Sequence, residues 1–165
     1  MKKLSGIPIK YQAFYNLALD SGLRMTEVVL LINQFESAVP VNGFYRCTVG
    51  YFRGCKLAYA GYFTPYTLTL IQQVQKNREK VDDKCASHYF YKYKFVSCKY
   101  LRKFCFDTMI SDAFSIPESV ADFVAGRTPL KVGARHYSNL LRQADGHYPK
   151  FGAYLAKLRG GGSIV

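Results

Sequence analysis

Four stretches carry side chains suited to chemistry on an anion. In "SGLRMTEVVLL" Arg24 stands between a glycine-containing turn and an apolar helical run. In "SCKYLRKFCFDTMI" Lys99, Arg102 and Lys103 are spaced three and four apart, so a helix gathers them on one face. Leu101, Cys105, Thr108 and Met109 lie opposite, as a buried side should. "FVAGRTPLKVGARHYSN" sets Arg127 after a helix-stopping glycine and Tyr137 ten residues further on. "YFRGCKLAYAGYF" reads as a hairpin with two candidate cations, Arg53 and Lys56. Forked guanidinium groups bind two oxyanion oxygens at once and keep their charge at any working pH. Each stretch also has a plainer reading: a triple cation is commonly solvated surface, and most tyrosines pack.

The elements that must position these residues follow from periodicity and punctuation. A helix opens near Pro8 and closes at Gly22, and "MTEVVLLINQFESAV" is a second helix, apolar enough to be interior. "GFYRCTVGYF" and "KLAYAGYF" are strand-like, with Gly54 at the turn. Thr64-Pro65 caps a helix running to about Asn77. Residues 78–95 break the periodicity and read as an exposed basic-aromatic segment with room for a short strand. Ser97 caps a helix to about Ala113, and Ser115 with Glu118 resembles a capping box for a helix ending at Gly126. Thr128-Pro129 starts another short helix, with Tyr137 near its end, and a last helix spans roughly 140–158. The fold class is α+β, mostly helical with a small antiparallel sheet. Residues 1–158 form one domain, and 159–165 a flexible tail.

Charge narrows the partner. Against 11 acidic residues stand 23 Lys and Arg, a net charge of +12, which self-repels unless a polyanion is near. Nucleic acid is the first expectation. A membrane surface is disfavoured because the cations do not share one amphipathic helix with a bulky apolar face. There is no apolar run of membrane-spanning length and no signal sequence, so an intracellular protein is expected. The five cysteines, Cys47, Cys55, Cys85, Cys98 and Cys105, form no C-x-x-C pair and read as reduced thiols rather than a zinc site.

Taken in order, the stretches resemble the catalytic domain of the tyrosine recombinases, the phage-integrase family. "GLRMTEVVLL" is similar to its first box, with Arg24 as the arginine. The β-hairpin lysine of the family falls on Lys56. The second box, usually His-x-x-Arg, reads Lys-x-x-Arg in "KYLR", giving Lys99 and Arg102. The third box, usually Gly-His, is Gly-Arg in "AGRT", giving Arg127, and the nucleophile that follows by nine or ten residues falls on Tyr137. Replacing histidines by permanent cations resembles integrases of archaeal viruses and plasmids.

The resemblance implies site-specific cutting and rejoining of double-stranded DNA attachment sites, integrating viral or plasmid DNA into a host chromosome. It also implies a tetrameric synapse on DNA, and no metal, cofactor or small-molecule substrate. Arg24, Arg102 and Arg127 would bind the scissile phosphate. Lys99 would contact phosphate first and shuttle protons second. Lys56 would be the general acid, with Arg53 its competitor, and Tyr137 the nucleophile, with Tyr148 and Tyr154 as alternatives. His136 is a polar neighbour rather than a base, and Glu27 steadies the Arg24 helix start. Because the family's preceding DNA-clamping domain has no counterpart here, the chain is expected to be a catalytic fragment. The rival readings are a non-catalytic basic DNA-binding module and a type IB topoisomerase-like nicking and closing activity.

Overall fold

Helix α1 (Ile9–Ser21) is the buried spine of the molecule, with every residue from Ala13 to Ser21 shielded from solvent. It packs against α3 (Pro65–Lys76) and α5 (Cys98–Ile110). The computed structural model describes residues 6–53, 56–129 and 134–160. Gly22 ends α1 in the left-handed region at φ 63°. A side chain there would be strained and would press on Cys105 Cβ at 3.2 Å.

The chain then turns directly into α2 (Met25–Asn33). This helix is shorter than its apolar run suggests. Asn33 exchanges hydrogen bonds with the Val81 backbone, donating at 2.8 Å and accepting at 2.9 Å, which ties the helix end to a distant segment. The residues beyond lead into β1 (Val39–Val41).

Strands β2 (Phe44–Arg53) and β3 (Lys56–Phe63) form the expected antiparallel hairpin, with Tyr45 opposite Phe63 and a bulge between Thr48 and Tyr51. Their edges are covered by β1 and by β4 (Thr128–Pro129), giving the order β1-β2-β3-β4. Thr64 caps α3 as its sequence indicates, its hydroxyl accepting the Thr67 N–H. The whole is mostly helical with a small antiparallel sheet, the α+β class read from the sequence. Among the described residues no helix is long and apolar enough to cross a membrane.

Several elements differ from expectation. The segment over residues 78–95 contains a helix, α4 (Asp83–Lys92), capped by Asp82, whose carboxylate accepts the Cys85 N–H at 2.8 Å. Only Ala86 and Phe90 of α4 are buried, so its inward stripe is too narrow to show as a period among tyrosines and lysines. The Ser115–Glu118 capping box does not form. Ser115 sits at φ 50°, its hydroxyl donates to the Asp112 carbonyl, and Pro117 precedes α6 (Glu118–Val124). Thr128-Pro129 is strand, not helix: Thr128 lies opposite Leu57.

The final helix, α7, runs from Ala134 to Leu158, so Tyr137 is in its first turn rather than at the end of a separate helix. Pro149 lies inside α7 and leaves the Asp145 carbonyl without its N–H partner. The Asn42 side chain donates to that carbonyl at 3.3 Å. Tyr148, Phe151 and Leu155 bury the inner face. Arg159, assigned to the tail from sequence, reaches back to pair with fully buried Asp20, while residues 161–165 lie outside the described residues.

Candidate active site

Two glycine turns and one helix bring three arginines together. Arg24 is the extended N-cap of α2, and its backbone N–H donates to Glu27 Oε2 at 2.7 Å. Its Nη1 donates to Glu27 Oε1 at 2.7 Å and to the Gly126 carbonyl at 2.8 Å. Helix α5 presents Arg102, whose Nη1 donates to the Gly22 carbonyl at 2.6 Å and stands 3.9 Å from Glu27 Oε2. Gly126, like Gly22, is left-handed, and a Cβ on it would meet Ala58 Cβ at 2.9 Å. The two glycine turns therefore lie against α5 and β3 closely enough for their carbonyls to hold the arginines.

Arg127 follows α6. Its N–H donates to the Asp122 carbonyl at 2.8 Å, its Nη1 is 3.7 Å from the Asp122 carboxylate, and its guanidinium lies 4.3 Å from the centre of the Phe106 ring. Burial pushes the Arg102 pKa down to about 10, and the neighbouring Arg24 and Arg127 charges push it the same way. Glu27 and Asp122 only partly offset them. Arg102 is 13% exposed, and its Nη2 is buried with no hydrogen-bond partner among the described residues. A cation excess with an unsatisfied donor is suited to an oxyanion.

The remaining candidates are placed less tightly. Lys99 is exposed, one turn before Arg102 on α5. Exposed Lys103 is 3.9 Å from Asp107. Lys56 opens β3, its backbone opposite Arg53 on one side and Pro129 on the other, two residues beyond Arg127. The side chains of Lys56 and Arg53 lie outside the described residues. Tyr137 is half-buried, with its ring 5.7 Å from Tyr59 and 6.4 Å from Phe123, and burial raises its pKa above the usual tyrosine value. His136 beside it is exposed.

The other C-terminal tyrosines serve packing. Tyr148 is 1% exposed and donates to the Asp20 carbonyl at 3.2 Å, and Tyr154 packs between Phe104 and Phe114. Among the described residues no three His, Cys, Asp or Glu side chains cluster as metal ligands.

Comparison with known families matches residues 2–153 to the archaeal phage integrases. The chain belongs to that family. Among curated proteins none matches it. An integrase acts on DNA, which accounts for the charge excess of +12. In this integrase the sequence did not disclose Asp122 and Phe106 as the partners of Arg127: the Asp122 contact is made by the turn that ends α6, and the Phe106 contact arises from packing of α5 against α6. Glu27 was legible only as a helix-start residue. Its reach to Arg102 needed the tertiary fold.

Proposed function

We propose that this integrase cuts and rejoins DNA strands through a 3′-phosphotyrosyl intermediate at specific attachment sites, integrating viral or plasmid DNA. The observation that carries this reading is the gathering of Arg24 and Arg102 at one buried carboxylate, Glu27, with Arg127 near enough for its charge to act on Arg102. The three guanidinium groups bind the non-bridging oxygens of the scissile phosphate, whose charge grows in the transition state. Lys99, one turn from Arg102, contacts the same phosphate.

Tyr137 Oη attacks phosphorus. A phosphorus–phenolate oxygen bond forms and the bond to the 5′-oxygen breaks. The phenol proton leaves to solvent, with Lys99 as the secondary shuttle, and the 5′-oxygen takes a proton from Lys56. Attack of a 5′-hydroxyl on the phosphotyrosine reverses these steps, so rejoining needs no nucleotide triphosphate. Fixed cations supply the electrostatic stabilisation, and four protomers on DNA would complete two strand exchanges.

A nicked suicide substrate tests the proposal. The wild-type chain should form a protein–DNA adduct that survives denaturant, and Tyr137→Phe should form none while binding DNA nearly as well. An adduct mapped to another tyrosine, or one that persists in Tyr137→Phe, would overturn the assignment.

A further inference from the structure

Away from the arginines, α1 and α4 form a second surface with a different chemistry. Tyr11, Tyr89 and Tyr93 make a staircase of rings: Tyr11 stacks on Tyr89 at 4.3 Å, and Tyr89 meets Tyr93 at 4.6 Å. Its inner side rests on buried Phe90, 6.1 Å from both Tyr11 and Tyr89, so the platform is fixed to the core. The outer step, Tyr93, is 47% exposed. Together with Lys84, His88 and Lys92 these rings line an open cleft of about 440 Å³. The Lys92 ammonium is 5.6 Å from the Tyr93 ring centre and that of Lys10 is 5.4 Å from Tyr11. The carboxylate that acts on Tyr11, Asp82, is occupied in capping α4.

This surface is separate from the arginine cluster. Tyr11 and Gly22 are at opposite ends of α1, eleven residues or roughly 16 Å of helix rise apart. A core-anchored stack of tyrosines rimmed by lysines matches the way single-stranded nucleic acid is held, with bases on ring faces and phosphates on ammonium groups. A second copy of the chain fits poorly, since each copy has 23 cationic and only 11 acidic side chains.

The geometry points to the α1–α4 cleft as a second nucleic-acid site, taking an unpaired base of a single strand and its flanking phosphates. Duplex DNA does not fill it in the same way, because paired bases hide their faces in the helix. The site's occupancy does not depend on phosphotyrosyl chemistry at Tyr137.

The test uses a labelled oligothymidylate and a duplex of equal length, with binding read by fluorescence anisotropy. Tyr93→Ala should weaken the oligothymidylate about tenfold, while duplex affinity changes less than twofold and Tyr93→Phe retains binding. The Lys84→Gln, Lys92→Gln pair should lower the single-strand salt slope by about 1.4. With 5-iododeoxyuridine in the oligonucleotide, photocrosslinks should map to Tyr11, Tyr89 or Tyr93. Crosslinks confined to residues around Arg24, Arg102 and Tyr137 would overturn the proposal. So would equal losses for single strand and duplex in Tyr93→Ala, or a self-association that Tyr93→Ala abolishes without affecting the oligonucleotide. Adduct formation on the suicide substrate is a separate readout, so a failure here and a failure of the cleavage mechanism are distinguishable.

Discussion

Glu27 holds Arg24 at two points: its two carboxylate oxygens take the Arg24 side chain and the Arg24 backbone N–H, each at 2.7 Å. The same carboxylate is 1% exposed and lies 3.9 Å from Arg102. One buried anion therefore orients two cations without neutralising both.

Glu27→Gln keeps the side-chain shape and a backbone acceptor but removes the charge. It should lower stability by about 1–3 kcal/mol, the range for weakening a buried charged hydrogen-bond set. Adduct formation should fall as the two arginines lose their common anchor. Thermal unfolding together with the suicide-substrate assay measures both effects. Unchanged stability would mean that Glu27 is not the anchor.

Arg102 is held in a field of like charge, so an anion bound there relieves repulsion. Inorganic phosphate or sulfate should raise the melting temperature of the wild-type chain. At a hundredfold excess over the dissociation constant the gain is about 2.7 kcal/mol, which for a domain of this size is roughly 5–10 °C. Arg102→Ala should abolish most of that gain and slow cleavage by about 10²–10³. An equal anion response in the variant would place the anion elsewhere.

Tyr137 and Tyr148 can be told apart by their surroundings. Tyr148→Phe removes a fully buried hydroxyl bonded to the Asp20 carbonyl, so it should cost about 1 kcal/mol in urea unfolding and leave the adduct intact. Tyr137→Phe should eliminate the adduct in a chain that still folds.

Cleavage should accelerate as pH rises. Burial raises the Tyr137 pKa, so the phenol is neutral at pH 7 and the attacking phenolate is a minor species. Its population grows tenfold per pH unit below the pKa. Single-turnover rates of adduct formation should therefore climb from pH 7 to about pH 9, below the range in which a lysine general acid gives up its proton. A plateau well below the ordinary tyrosine value would show that phenolate supply does not limit the step.

The end of α7 is fastened at Asp20. Its carboxylate pairs with Arg159 and also accepts the Thr64 N–H at 2.9 Å and the Thr67 hydroxyl at 2.6 Å. Asp20→Ala strands the Arg159 guanidinium, which is 10% exposed, and should cost about 3–5 kcal/mol in denaturant unfolding. Arg159→Ala should cost less, because the threonines still satisfy one carboxylate oxygen.

The amino-acid sequence by itself determined the α+β class and the spans of α1, α3 and the β2–β3 hairpin, and it singled out the arginines proposed to bind phosphate. Each of these is written in local signals: Gly22 after an apolar run, Thr64 before Pro65, alternating aromatics, and Arg24 and Arg102 at recognisable spacing. Helix α4 was hidden because its inward face is only Ala86 and Phe90. The strand at Thr128-Pro129 was hidden because a two-residue strand exists only through its partner, Leu57 and Lys56 of β3. Only the tertiary structure decided that Glu27 serves Arg24 and Arg102 together, that Asp122 and Phe106 hold Arg127, and that Arg159 belongs to the core rather than the tail. The contacts of Glu27 with Arg102, of Phe106 with Arg127 and of Arg159 with Asp20 join residues far apart in the chain, which no local period records, so they come into being only when the helices pack.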